Sequence, residues 1–420
     1  MVAYVKINEI IYIWGSMKKI RFTKNQIFKI LKEQEAVRTV ADLCLENGIH
    51  QATLNILEMK RILILFFFTI LLIVQSAAQN SSFIVLGDLH YDLLQDHDID
   101  WLRNKPGDLR QVTKEYTVYT QENWNDFMTL LKKKAAFDDP PVKAVIQLGD
   151  LSEGLAGTQE KARQMASNTM KAIDAIQMPV PWIIAKGNHD VTGPGAAAAF
   201  EEYYIPMFRK QTNQPEINSA SYSFSYDNVQ ITCIDPWDKE TDMVAFLESE
   251  LSEPDATYKF VVIHEPVIPV TERCWHTLSK DQERREKFLE VIARNKAIVL
   301  CGHLHRYSVV RRNTPYGPVV QVMAISVIKD RNYQKPAKVI TKYGPSLAEN
   351  IPDWQPETLN ARKSLLSEEA KYVTYYKQTD LPGYAVIKID EKKESILLEY
   401  YAAFGEKPYD IIDLTTLLKP

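Results

Sequence analysis

Five short stretches of this 420-residue chain end an apolar run in residues able to bind a cation. The first is Ile84-Val85-Leu86-Gly87-Asp88-Leu89-His90. The next two are Val145-Ile146-Gln147-Leu148-Gly149-Asp150 and Trp182-Ile183-Ile184-Ala185-Lys186-Gly187-Asn188-His189-Asp190. The last two are Phe260-Val261-Val262-Ile263-His264 and Ile298-Val299-Leu300-Cys301-Gly302-His303-Leu304-His305. Carboxylate, imidazole and amide oxygen together suit borderline divalent ions such as manganese, iron or zinc. A single strand-end Asp-x-His, or His264 by itself, is commonly structural. Five such ends in order make a metal site, and only His50, His97 and His276 of the eight histidines fall outside them.

Elements that gather five such ends must be strands lying side by side. Open α/β sheets place their sites at the carboxyl ends of strands. Around the motifs the chain reads as alternating helices and strands, the pattern of a mixed α/β sheet. Helices are expected over Trp124–Phe137, Gln159–Ile176, Ala196–Arg209, Asp242–Leu251 and Asp281–Asn295. Strands are expected over Tyr222–Tyr226 and Val229–Ile234. The polar stretch Tyr91–Glu122 is too irregular for a helix and is expected to lie over the site. After His305 the pattern turns to β, with hairpins at Tyr307–Val327 and Tyr384–Ala402. Pro336–Thr374 reads as a loop, with a helix somewhere between Pro356 and Tyr375.

Residues 81 to about 325 resemble the calcineurin-like metallophosphoesterase family. The carrying motifs are Gly-Asp-x-His at 87–90, Gly-Asp at 149–150, Gly-Asn-His-Asp at 187–190, His264, and Gly-His-x-His at 302–305. The resemblance implies a four-layer α/β/β/α sandwich of two mixed sheets flanked by helices, with the late hairpins completing the second sheet. It implies that Asp88, His90 and His305 hold one metal, that Asn188, His264 and His303 hold another, and that Asp150 bridges them. His189 would face the phosphoryl group, and Asp190 would either orient His189 or cap the loop that follows. The implied cofactor is two divalent ions (Mn, Fe or Zn), and the implied partner is a small-molecule phosphoester. Two such ions about 3.5–4 Å apart clamp an in-line displacement at phosphorus and make hydroxide available from a bridging water. Glycines at 87, 149, 187 and 302 let the backbone turn beside the ligands.

The purple acid phosphatase branch carries a Tyr ligand three residues after the second-motif Asp. Here that position is Glu153, so a tyrosinate–iron colour is not expected. A class III cyclic-nucleotide-type phosphodiesterase uses a ligand set that matches equally well. Trp237, Tyr91 and Arg306 are candidate pocket residues with packing roles as the plain alternative. A catalytically weak metal- and phosphate-binding protein on the same fold is the competing class.

Composition is ordinary for a globular chain, 45% hydrophobic and 25% charged, and a net charge of −4 gives no basic footprint for a stable nucleic-acid partner. The cysteines Cys44, Cys233, Cys274 and Cys301 include no CxxC pair, which argues against a cysteine zinc site. Cys233 and Cys301 are expected in the core.

The first eighty residues follow another plan. Met59-Lys60-Arg61, the apolar run 62–74 and Ser76-Ala77-Ala78 read as a secretory signal peptide over 59–78, implying export to the periplasm or exterior. If uncleaved, the 62–74 run would be a membrane anchor. Between a 1–16 leader and this segment, short helices near Thr23–Leu31, Thr39–Cys44 and Gln51–Ile56 make a small all-α piece. Residues 17–57 resemble the N-terminal helix-turn-helix of insertion-sequence transposases, so a DNA-binding fusion is a third class. The organisation expected is therefore 1–16, 17–57, 59–78 and a phosphoesterase domain over 81–420, with metal motifs in 87–305 and a β-rich part over 306–420.

Overall fold

A computed structural model describes residues 80–252, 256–351 and 353–420. The expected signal segment and the short helices before it lie outside these residues. In chain order the strands are β1 (Ser81–Leu86), β2 (Val142–Gln147), β3 (Trp182–Ile184), β4 (Tyr222–Tyr226), β5 (Val229–Ile234), β6 (Tyr258–Ile263) and β7 (Ile298–Cys301). They continue as β8 (Tyr307–Thr314), β9 (Gly317–Met323), β10 (Val339–Ile340), β11 (Val373–Thr379), β12 (Gly383–Asp390), β13 (Ser395–Ala402) and β14 (Asp410–Asp413). The longer helices are α1 (Tyr116–Phe137), α2 (Gln159–Ile176), α3 (Ala196–Thr212), α4 (Met243–Leu251), α5 (Gln282–Arg294) and α6 (Leu359–Glu369).

Two mixed sheets result, a six-stranded one in the order β14-β13-β12-β1-β2-β3 and an eight-stranded one in the order β10-β11-β8-β9-β7-β6-β5-β4. β1, β2 and β3 run parallel, as do β5, β6 and β7. Buried strands of this kind are apolar along their whole length, and β1, with Ile84 and Val85 at its centre, is buried at every residue. Period-two alternation sorts the second sheet's side chains between two cores. Phe260, Val262, Ile298 and Leu300 join the core shared with the first sheet. Val261, Ile263, Val299 and Cys301 join the core that also holds residues of α4 and α5. Helix α1 supplies Trp124, Phe127 and Leu131 to the first core. Helices thus flank both sheets, the four-layer sandwich that the motifs implied. Cys233, Cys274 and Cys301 are buried free thiols.

Three expectations are corrected. Tyr91–Glu122 is largely helical, with turns at Ile99–Leu102 and Pro106–Lys114, and α1 begins at Tyr116 rather than Trp124. The first turns of α1 bury polar side chains against loop backbone instead of an apolar stripe. Thr120 Oγ1 donates to Leu89 O at 2.6 Å and Asn123 Nδ2 to Ile328 O at 2.8 Å. An apolar periodicity therefore starts late. The final hairpin joins the first sheet, because β12 pairs antiparallel with β1. Of the two late hairpins, β8–β9 alone enters the second sheet. The supposed loop Pro336–Thr374 holds the short strand β10, which pairs antiparallel with β11, and the first two residues of β11, which itself pairs with β8.

Strand β6 leads into a buried connection that holds His276, whose imidazole is pushed down to about 4, by burial first and the Arg285 charge second. An unfolded imidazole titrates near 6.5. The unfolded chain therefore takes up the proton first, and stability falls as pH drops from about 6.5 to about 4, by at most about 3 kcal/mol. His276→Gln is expected to flatten that slope. Melting temperatures at pH 7 and pH 5, with chelator present, measure it; an unchanged slope would place the acid sensitivity elsewhere.

Candidate metal centre

The parallel strands aim their carboxyl ends at one place from both sheets. Asp88, just past β1, forms a parallel bridge with Ile325, just past β9, and so ties the sheets together beside the site. Asp150 follows β2, Asn188 follows β3, His264 follows β6, and His303 and His305 follow β7. The turns are tight. A Cβ on Gly187 would stand 2.0 Å from Asp150 N and 2.2 Å from its Oδ1. Gly149 sits at φ 96°, a conformation that glycine adopts freely. Four candidate ligands themselves have left-handed backbones: His90 (φ 49°), Asp150 (52°), His303 (72°) and His305 (51°). Such conformations cost about 1–3 kcal/mol each and cluster at functional sites.

The side chains converge in two groups. Asp88, His90, Asp150 and His305 offer ligand atoms within 4.8 Å of one another, and so do Asp150, His264 and His303. Asp150 is common to both. Asn188 Oδ1 lies 2.8 Å from His303 Nδ1, which places the amide in the second group. All seven residues that the resemblance implied as metal ligands thus lie close together. His90 Nε2 and His305 Nε2 face each other at 3.1 Å. His264 Nε2 is 3.0 Å from Asp150 Oδ2 and 3.9 Å from Asp88 Oδ1. Buried lone pairs crowded this closely are what a cation relieves, and Asp88 Oδ2 has no hydrogen-bond partner among the described residues. Nitrogen and oxygen donors in these groups fit borderline divalent ions.

The outer contacts orient the rings. His264 Nδ1 meets Leu148 O at 2.8 Å, which leaves Nε2 to the cluster. Asp88 Oδ1 accepts from His303 N at 2.8 Å, and Asp150 Oδ1 from His189 N at 2.7 Å. Burial alone would raise the Asp150 carboxyl, but the His264 and His189 charges hold it well below the usual range. Burial outweighs the His264 charge at Asp88 and raises it. Against burial, Asp150 draws His264 up to about 10 and Glu153 draws His90 up to about 9. Burial, then the His264 charge, pushes His303 down to about 3. The acids thus collect protons on His264 and His90, and a cation bound there displaces them.

His189 and Asp190 part company. His189 Nδ1 meets Glu153 O at 2.7 Å, which leaves Nε2 free, and its side chain is 18% exposed while His90 and His264 are at 0%. Asp190 contacts neither the His189 ring nor the loop that follows, the two roles open to it from sequence. Its Oδ1 accepts from Ser152 N at 2.9 Å and its Oδ2 from Gly187 N at 2.9 Å. The carboxylate ties the second motif's loop to the third motif's turn instead of orienting the His189 ring. Burial first, and the Asp150 charge second, raise Asp190 to about 6.

Two residues went unassigned from sequence. Glu153, fully buried, places Oε2 2.6 Å from His90 Nδ1 and Oε1 3.7 Å from His189 Nδ1. It stands behind both rings. Glu153→Gln is expected to weaken metal binding by about 10–100-fold, as outer partners do. Metal titration would show it, and an unaltered affinity would remove Glu153 from this role. Tyr116, at the start of α1, stacks on His90 with centroids 4.7 Å apart and meets His305 edge-on at 4.8 Å. The late-starting apolar stripe of α1 hid it. Of the other candidates, the Trp237 ring is 6.1 Å from His264, Tyr91 packs on Trp124 at 4.2 Å, and Arg306 donates to His305 O at 3.0 Å. His97 pairs with Asp92 at 2.7 Å, both buried.

A family model described as calcineurin-like phosphoesterase matches residues 81–307. Among solved structures the chain is similar to purple acid phosphatase PPD1 from yellow lupin (Lupinus luteus) seeds, at 13% identity and a TM-score of 0.48. The match covers 82% of this chain and 56% of that one. It is similar to PhoD at 11% identity and a TM-score of 0.44, over 80% of this chain and 68% of that one. A stretch of 37 residues is 54% identical to low calcium response locus protein S of Yersinia pestis, and the same holds for that of Yersinia pseudotuberculosis. It makes up 9% of this chain and 42% of the relative, so the chain spans less than half of that relative's length.

Proposed function

Since the chain belongs to the calcineurin-like phosphoesterase family, we propose that it is an exported hydrolase of small-molecule phosphoesters that works with two divalent metal ions. The observation that carries this reading is the pair of ligand groups sharing one carboxylate, Asp150. Asp88, His90 and His305 would hold one ion, Asn188, His264 and His303 the other, and Asp150 both. When bound, such ions neutralise charge on phosphoryl oxygens and lower the pKa of a coordinated water.

The chain's own residues supply the rest. Asp150 is a carboxylate because a neutral amide could not balance two cations. Leu148 O fixes the His264 tautomer that points a lone pair inward. Glu153 O holds His189 by Nδ1, so Nε2 carries or takes the proton at a phosphoryl or leaving-group oxygen. Tyr116 covers His90 and keeps water from its ring face. Export rests on the apolar run 62–74 between Lys60-Arg61 and Ser76-Ala77-Ala78. Among the described residues no helix is long and apolar enough to cross a membrane.

The test is hydrolysis by the purified protein, stripped of metal and refilled with manganese, iron or zinc, of an aryl phosphate monoester and an aryl phosphate diester. Metal-dependent turnover of either is expected. Two bound metals with neither ester cleaved would overturn the hydrolase reading and favour a binding protein on this fold.

A further inference from the structure

Strand β4 ends the eight-stranded sheet, and no described strand pairs with its outer edge. It forms a hairpin with β5, in the register Tyr226↔Val229, Ser225↔Gln230 and Ser223↔Thr232, across a two-residue turn at Asp227 and Asn228. Residues of an antiparallel strand alternate between bonding the partner and facing away from it. The pair that flanks a two-residue turn is a bonded one. Tyr222, Phe224 and Tyr226 therefore serve β5, while Ser223 and Ser225 turn their backbone N–H and C=O to the open edge. Lysine, proline or a bulge blunts many edge strands. β4 has none of these, and its register with β5 runs unbroken from Tyr222 to Tyr226.

The same strand borders a cavity of about 550 Å³. Ser223, Ser225 and Gln230 line it from the sheet, and Phe246 and Glu250 line it from α4. Gln230 is 3% exposed, and its Nε2 donates to Glu250 O at 2.8 Å. That bond fixes which way the amide points. It leaves Oε1 buried without a partner among the described residues, and Gln214 Oε1 on the same cavity is in the same state. A buried acceptor without a partner is destabilising, and a donor carried by a ligand relieves it. The rim is acidic. Glu216, Asp227 and Glu250 line it, and none of them forms an ion pair with another described residue. Among the described residues no lysine or arginine lines the cavity. Two neighbouring cations are engaged on carbonyls instead. Lys259, opposite Gln230 on β6, donates to Leu251 O, and Arg209 donates to Ile217 O at 2.5 Å.

Hydrogen-bond donors and positive charge are thus what an occupant must supply. A small cation would leave the edge of β4 unused. A second copy of this chain, joined edge to edge through β4, would bring like charges together, because residues 211–230 hold no lysine or arginine. We propose that the open edge of β4 and the cavity beside it dock a basic peptide in extended conformation. The peptide pairs with the backbone of Ser223 and Ser225 and sets alternate arginine or lysine side chains among Glu216, Asp227, Glu250 and Gln230. Strand addition of this kind draws affinity from main-chain bonds and specificity from pockets for alternate side chains. None of the cavity's lining residues belongs to the metal cluster, so the site stands apart from the phosphoesterase reading.

The probe is a fluorescein-labelled peptide that alternates arginine with valine, titrated into the full-length protein and followed by fluorescence anisotropy at low salt. A control peptide carries glutamate in place of arginine. The wild type is expected to bind the first and not the second. Neutralising the rim with Glu216→Gln, Asp227→Asn and Glu250→Gln together should weaken binding about 3–100-fold, the combined effect of three exposed charge pairs. Ser225→Pro deletes one outward N–H and spares the bonds to β5, as an edge strand tolerates. It should weaken binding about 2–10-fold. Melting temperatures show whether both variants fold. Where the proline variant melts early, Ser225→Lys replaces it, sets a cation in the groove and should weaken binding in the same way. Equal binding of the two peptides, or no binding of either, overturns the proposal. A loss confined to one kind of variant does so as well, because the proposal needs both the carboxylates and the edge. Self-association of the wild type that Ser225→Pro abolishes would assign the edge to a second copy and overturn it too.

Discussion

Asp150→Asn removes metal and turnover together. The carboxylate is buried, and it is the group common to both ligand clusters. Its Oδ1 accepts from His189 N at 2.7 Å and its Oδ2 stands 3.0 Å from His264 Nε2. An asparagine in the same place keeps the size and can keep the bond from His189 N. What it loses is the negative charge that both ion positions share, and it can turn two N–H donors toward a ring nitrogen that must offer a lone pair. Removing the charge from a buried cluster of cations leaves the others uncompensated, which is strongly unfavourable. The fall in metal affinity is therefore expected to exceed the roughly 10–100-fold that losing an outer partner costs. Phosphoesterase activity at fixed metal should fall with it. Metal content after dialysis and turnover across a metal titration measure both. A variant that retained two ions and normal turnover would show that Asp150 bridges nothing.

The motif residues were legible in the sequence because each lies immediately after an apolar run, so a local pattern locates a long-range cluster. Parallel strands then do the gathering, and the spacing of Gly187 over Asp150 requires a glycine that the motif itself carries. What stayed hidden depends on contacts between distant segments. Glu153 occupies a position that a motif comparison notices only as a missing tyrosine, and its closeness to His90 and His189 emerges once the second and third motifs fold against each other. Tyr116 sits on helix turns whose buried faces are polar, so no apolar stripe announces them. Two placements of Asp190 were open because its neighbours in sequence suit either. Three-dimensional packing brings Ser152 and Gly187 to it instead, contacts that neither placement described. The final hairpin has the alternation of any hairpin, and nothing local tells β12 to pair with β1 rather than with the second sheet.

His189→Ala is expected to keep metal and lose turnover, by about 10²–10⁴-fold in kcat. The imidazole belongs to neither of the clusters that share Asp150. It does lie near His90 and Glu153, but through Nδ1, which the Glu153 carbonyl already takes at 2.7 Å. That contact faces away from a would-be ion and leaves Nε2 for substrate. The tie to the metal cluster runs instead through the backbone, from His189 N to Asp150 Oδ1. Alanine preserves that N–H, so Asp150 keeps its orientation and the ions keep their ligand. The lost function is then the contact of Nε2 with the phosphoryl or leaving-group oxygen. Metal analysis together with kcat separates the possibilities. Full metal content with lowered kcat fits a group acting on that oxygen. Turnover left intact would remove His189 from the chemistry, and loss of metal along with turnover would make it a ligand.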